Sequence, residues 1–238
     1  KNNVAILFCD ERHLPISVIL PLSSGHSLHT KVLNDQINSK VPRKKRLWQQ
    51  VVKTKILEQA TTLETAGKPF ERLLRLSEKV KSGDPENIEA QAAQHYWKKL
   101  MGETFRRDVN ADGVNSLLNY GYAVMRAMVA RSIVATGLHP AIGIHHKNQY
   151  NGLCLADDII EPFRPWVDEI VYNHASKGKN LTITREIKQH LLGLLSRQVL
   201  YKNEKMPLMV SVHQLAAQLK NAMTQQPSDF TYPKRCQF

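Results

Sequence analysis

The stretch 113–136 constrains this chain more than any other. Val114, Leu117, Leu118, Gly121, Val124, Met125, Met128, Val129 and Ser132 recur there at spacings of three and four, the period of an α-helix with one apolar face. That pattern predicts a core helix. The same period runs through 31–40, 43–65, 69–81, 85–101, 152–175, 184–202 and 207–224, and no β-type run of comparable strength interrupts it. The expected fold is therefore mainly α, with no internal repeat and no low-complexity tract.

Ahead of the helical pattern, Val4 to Cys9 and Ile16 to Leu20 flank the turn-like Asp10 to His13 and predict two short strands. Two strands alone are marginally stable. The first residues, Lys1-Asn2-Asn3-Val4, hold neither an initiator Met nor a targeting pattern, and the expectation is that the strands close a small β-domain whose earlier part lies ahead of Lys1. The boundaries drawn on this basis are 1–22 for the strands, 23–30 (with Ser23, Ser24 and Gly25) for a linker, and 31–238 for the helical domain.

With 42% hydrophobic and 23% charged residues, and no apolar run near the roughly 18 residues of a membrane span, the chain is expected in water. Its 33 Lys and Arg against 21 Asp and Glu leave a net charge of +12, which favours a polyanionic partner, nucleic acid first. Cys9, Cys154 and Cys236 form no CxxC, so neither a disulfide framework nor a structural zinc site is suggested, and a reducing cytoplasm is the expected location.

Two places attract chemistry. In 85–101, which Asp84 caps and Pro85 opens, Glu89 shares a face with Ala93, Tyr96, Trp97 and Leu100. A carboxylate on such a face needs a partner, either an ion pair or a metal for which it is a ligand, unless it works as an acid or base. Further on, His146 precedes Asp158 and Glu161, which are three apart and project from one helical face. Two like charges so placed invite Mg²⁺, Mn²⁺ or an arginine such as Arg164. His139, His145, His146 and Cys154 offer zinc ligand types without a zinc spacing. No GxSxG and no Gly-rich phosphate loop is present.

Taken in order, Asp84-Pro-Glu-Asn-Ile-Glu89 through Tyr96-Trp97, Leu118-Asn-Tyr-Gly-Tyr-Ala123, Gly143-Ile-His-His146 and Asp158-Ile-Ile-Glu161-Pro-Phe-Arg164 resemble the successive motifs of the CRISPR-associated spacer-acquisition integrase, type II branch. The resemblance spans essentially the whole chain. It implies a helical catalytic domain, preceded by the remnant of a small N-terminal β-domain, in which Glu89, His146 and Glu161 hold one divalent cation, Mg²⁺ or Mn²⁺. The histidine three positions after the glycine is His146 rather than His145, and the family's neighbouring acidic position falls on Asp158, expected behind the ligands or on metal-bound water; Asp157 matches no ligand. The implied reaction is insertion of captured DNA fragments into a CRISPR array by transesterification, with nuclease activity on branched DNA. The implied partners are DNA, a second copy of the chain and a small dimeric protein of the same acquisition complex. Lys147, Arg164, Arg126 and Arg131, close to the site in sequence, and the run Arg43, Lys44, Lys45 and Arg46 are the candidate DNA contacts. The competing reading is a catalytically silent helical DNA-binding protein whose acidic residues are merely ion-paired.

Overall fold

The computed structural model describes residues 6–11, 15–19, 29–224 and 230–236. Strands β1 (Ile6–Cys9) and β2 (Pro15–Ile19) pair antiparallel as expected. Of the proposed linker, 23–28 lies outside the described residues, and α1 (His29–Ile37) has begun by its end.

Two long helices organise the rest. Helix α2 (Val41–Thr65), opened by Pro42, buries Leu47, Trp48, Val51, Val52, Ile56, Ala60 and Leu63. Packed on it are α3 (Glu71–Lys79), α4 (Ile88–Met101) and α7 (Arg164–Ser176). Helix α5 (Val114–Ala135) is the expected core helix, and it packs against α6 (Cys154–Ile160), α7, α8 (Arg185–Gly193) and α9 (Leu208–Thr224). At Gly121, α5 packs tightly against its neighbours. A Cβ there would stand 2.3 Å from Val167 Cγ1 and 3.1 Å from Leu191 Cδ2, so only a bare Cα lets α7 and α8 come this near.

Three elements depart from the periodicity. The expected helix 152–175 breaks at Glu161, where Pro162 and Pro165 convert three residues to a 3₁₀ turn between α6 and α7. The expected helix 85–101 begins only at Ile88, because 84–87 form a tight turn with Asp84 and Asn87 at positive φ. The expected helix 184–202 ends at Gly193, after which β3 (Gln198–Tyr201) and β4 (Glu204–Pro207) form a hairpin. Lys202 and Asn203 at its tip have φ of 50° and 69°, as a two-residue turn matching strand twist requires. Alternation buries Val199 and Tyr201 on one face of β3, and β5 (Lys234–Arg235) completes an antiparallel sheet of order β4-β3-β5.

The C-terminal segment 230–236 straps this sheet back onto the helices. Arg235 pairs with Glu58 of α2 and Glu169 of α7, and Tyr232 donates to the Ile159 carbonyl of α6. Among the described residues no helix is long and apolar enough to cross a membrane.

Candidate active site

Helix α2 is the floor of the site. Lys44, Trp48 and Lys55 follow one another at four and seven residues and so share a face. The Trp48 ring lies flat on His145, with centroids 4.1 Å apart and planes 3° from parallel, and meets His146 edge-on at 5.8 Å.

Glu89 reaches the site because Asp84, four residues ahead of Ile88, turns its carboxylate onto the start of α4. It accepts from the Ile88 N–H at 2.9 Å and the Glu89 N–H at 3.0 Å, which supplies orphan donors of the first turn with a partner. The Glu89 carboxylate, at the positive end of the helix dipole, then receives the Lys55 ammonium at 2.5 Å. The same ammonium lies 2.6 Å from Glu161 Oε2. Arg164 Nε donates to the other oxygen of Glu161 at 2.8 Å, and its guanidinium lies over the Tyr122 ring, 4.6 Å from the centroid. Burial by itself would raise the Glu161 carboxyl, but Arg164 and Lys55 outweigh it and bring the pKa down to about 2. Burial also opposes the charge on Lys55, and Glu161 and Glu89 overcome it, holding that pKa above the usual lysine range.

His146 is set by Asp158. The Asp158 carboxylate is fully buried and accepts the backbone N–H groups of Ile144 at 2.5 Å, His145 at 3.1 Å and His146 at 3.1 Å. Its Oδ1 also lies 2.7 Å from His146 Nδ1. A carboxylate only accepts, so Nδ1 carries the proton and Nε2 is the nitrogen left to act in the neutral ring. This hydrogen bond, stronger than the opposing effect of burial, raises the imidazole pKa. The loop can wrap the carboxylate this tightly because of Gly143, where a Cβ would lie 2.4 Å from the His146 carbonyl oxygen and 2.8 Å from Asp158 Oδ2. Asp158 and Glu161, expected from their spacing to share a cation, are both buried but serve different partners: Arg164 and Lys55 hold Glu161, and the histidine loop holds Asp158.

The donors suit a hard divalent cation in kind: two carboxylates that already share one cation, and an imidazole oriented by a buried acid. They do not offer a metal cluster as they stand. Among the described residues no three His, Cys, Asp or Glu side chains are close enough to share an ion, and Lys55 lies between the two carboxylates. The zinc alternative is not assembled either, since His145 is stacked on Trp48 and the Cys154 thiol donates to the Asn148 and Asn151 carbonyls.

The candidate DNA contacts divide. Arg126 holds Asp157 through two bonds of 2.6 and 2.7 Å and also reaches Asn151, which accounts for Asp157 as an ion-pair partner. Arg43 donates to the Met223 carbonyl at the end of α9, and the Lys45 stem packs over Gly83. Lys147, Arg46 and Arg131 are exposed. Lys44 is half-buried, and burial together with the nearby Lys147 charge lowers its pKa. Arg164 also lines a cavity of about 640 Å³ with Arg107, Arg126, Lys188, Asn119 and Tyr120, a cationic and aromatic lining.

Lys55, Trp48, Tyr122 and Asp168 were not anticipated. The signal for Lys55 was present, since it is a lysine amid Trp48, Val51, Val52, Ile56 and Gln59 on an apolar face. Buried Asp168 accepts from Tyr96 at 2.8 Å and Tyr122 at 2.5 Å, joining α7 to α4 and α5 beneath the site.

Residues 1–198 match the family described as "CRISPR associated protein Cas1". A "CRISPR-associated endonuclease Cas1" of Neisseria meningitidis serogroup C (strain 8013) is 38% identical over 227 residues, covering 94% of this chain and 74% of that protein. Among solved structures, a casposase bound to integration product superposes with a TM-score of 0.79 at 21% identity, covering 98% of this chain and 75% of the other. A Cas6-RT-Cas1–Cas2 complex gives 0.74 at 19% identity, covering 97% of this chain and 29% of its own.

Proposed function

The chain belongs to the CRISPR-associated Cas1 family, and from that premise we propose that it is a DNA integrase and endonuclease that joins captured DNA fragments to a CRISPR array. One observation carries the reading beyond the family name: Glu89 from α4 and Glu161 from the 3₁₀ turn meet at one ammonium, and His146, whose orientation a buried carboxylate fixes, lies within electrostatic reach of Glu161. In the reaction, the 3′-hydroxyl oxygen of the fragment forms a bond to a phosphorus at the repeat border. The bond from that phosphorus to the leaving 3′-oxygen breaks, so one phosphodiester replaces another without a covalent enzyme intermediate.

Glu89, Glu161 and His146 Nε2 are the groups that would hold Mg²⁺ or Mn²⁺. When bound, such a cation supplies charge neutralisation at the reacting phosphate. The chain itself orients and binds. Asp158 keeps His146 in one tautomer, Arg164 ties Glu161 to Tyr122, and Lys44, Lys147 and the cationic cavity offer the strand a path toward the carboxylates. The Neisseria relative is named as an endonuclease, which favours a second use of the same groups with water as the nucleophile. Assembly with a small partner protein belongs to the same reading, supported by the Cas6-RT-Cas1–Cas2 complex that shares this fold, and a homodimer on a dimeric partner is the arrangement proposed.

The test sets Glu89→Ala, His146→Ala and Glu161→Ala beside wild type, measuring strand transfer on a branched substrate, duplex binding by anisotropy and folding by circular dichroism. Transfer is expected to vanish and binding to change by no more than a few-fold, because chemistry depends on position to a fraction of an ångström while binding is spread over many phosphates. A folded variant with wild-type transfer would return the acidic residues to the silent, ion-paired reading.

A further inference from the structure

The Lys55 ammonium stands 2.5 Å from Glu89 Oε1 and 2.6 Å from Glu161 Oε2. Among the described residues it is the one group that joins these carboxylates, which approach from α4 and from the turn after α6. Position, not flexibility, makes it telling. A cation shared by the two acids has to lie between them, and a side chain of the protein's own already does. Arg164 engages the remaining Glu161 oxygen, so a divalent cation approaching Glu161 meets two positive groups already bound to it. The Lys55 side chain is 13% exposed and the Glu161 side chain 8%, so solvent screens this contact weakly and neither charge is cheaply left alone.

We infer that Lys55 is a positioning residue that acts as an internal counter-cation: it holds Glu89 and Glu161 together in the metal-free protein and has to be displaced for a divalent cation to enter. The inference rests on the reading of Glu89, His146 and Glu161 as metal ligands and adds to it a competitor that sets their affinity. Three consequences follow from charge and geometry. The metal-free protein is stable with Glu89 and Glu161 held to one ammonium. Divalent cation binds more weakly than two carboxylates and an imidazole would otherwise allow. The displaced ammonium, on a flexible four-carbon stem, stays within the site as a positive group beside any phosphate that the metal recruits.

Mn²⁺ binding to the protein without DNA, followed by the loss of the free-ion electron paramagnetic resonance signal, tests this with Lys55→Met, which keeps length and apolar stem but removes the charge. Affinity is expected to rise at least about tenfold, or ~1.4 kcal/mol, and the gain should disappear when Glu161→Gln is added. In EDTA the Lys55→Met protein should melt below wild type and recover with Mn²⁺, whereas Lys55→Arg, which keeps the charge, should show no gain in affinity. Should Lys55→Met fail to fold by circular dichroism, Lys55→Gln takes its place with the same expectations. Equal or weaker Mn²⁺ binding by the uncharged variant, with wild-type binding still lost in His146→Ala, overturns the counter-cation and leaves the three-ligand reading standing. Absence of any His146-dependent Mn²⁺ binding in wild type and variant alike overturns both.

Discussion

Removing the Asp158 side chain takes the acceptor from three backbone N–H groups at once, those of Ile144, His145 and His146, and from the imidazole of His146. An unsatisfied buried donor costs ~1–3 kcal/mol, so Asp158→Ala is expected to lose about 3 kcal/mol or more of stability in a denaturant titration, besides any loss of transfer. A variant within about 0.5 kcal/mol of wild type, the usual range for surface sites, would show that the loop is held by something else. This is a larger structural role than a carboxylate behind the ligands suggests. The spacing of Asp158 and Glu161 placed both on one helical turn. That one faces a loop and the other a lysine was not legible, because the partners, Ile144 and Lys55, lie 14 and 106 residues away in sequence from Asp158 and Glu161.

Between elements, Gly121 is the place to test how α5, α7 and α8 are fitted together, because a Cβ there would meet both neighbours. Gly121→Ala puts a methyl carbon 2.3 Å from Val167 Cγ1, so a helix must shift; overpacking of this kind costs ~1–3 kcal/mol even though alanine favours the helix itself. The melting temperature should therefore fall, and a rise would mean that α7 yields freely. Helix α7 carries Arg164 and Asp168, so the same shift should lower strand transfer. Periodicity located the long helices well, since twenty-odd residues at one period leave little room for another reading. It failed at 198–207 for a physical reason. Four residues such as Gln198 to Tyr201 carry too few apolar positions to tell one helical turn from a strand, and pairing of β3 with β5, more than thirty residues on, is a contact that no local window contains.

Across the whole molecule, stability should depend on pH through Asp168, which ties α4, α5 and α7 together. Burial raises its carboxyl to about 7 despite the Tyr122 and Tyr96 hydroxyls that lower it. Between about pH 4 and 7 the folded state holds this proton and the unfolded chain, with an ordinary aspartate, has released it, so this group makes stability fall as pH rises through that window. Glu161, brought down to about 2, acts with the opposite sign in a lower window: its contribution is present above the ordinary glutamate range and is lost as pH falls from about 4.5 toward 2. The stability of wild type relative to Asp168→Asn should therefore decline from pH 4 to 7 in parallel denaturant titrations. Curves that stay the same distance apart would mean that Asp168 keeps its charge in the folded state.

What the sequence determined by itself is what repeats or adjoins along the chain: the helical class, the core helix, the N-terminal strand pair, the basic excess, and four ordered motifs that pointed to Glu89, His146 and Glu161. Each depends on periods of two or 3.6 residues, on charge that simply adds, or on short strings whose chemistry is local. The tertiary structure alone decided who meets whom. It brought Lys55 between acids 34 and 106 residues away, turned Asp158 onto the histidine loop, committed Arg126 and Arg43 to internal partners, and set Asp168 under two tyrosines. A lysine's pattern in one dimension shows that it is buried. Which carboxylate neutralises it is settled only when helices from distant parts of the chain pack in three dimensions, because the cost of burying a charge falls on whatever partner that packing brings within reach.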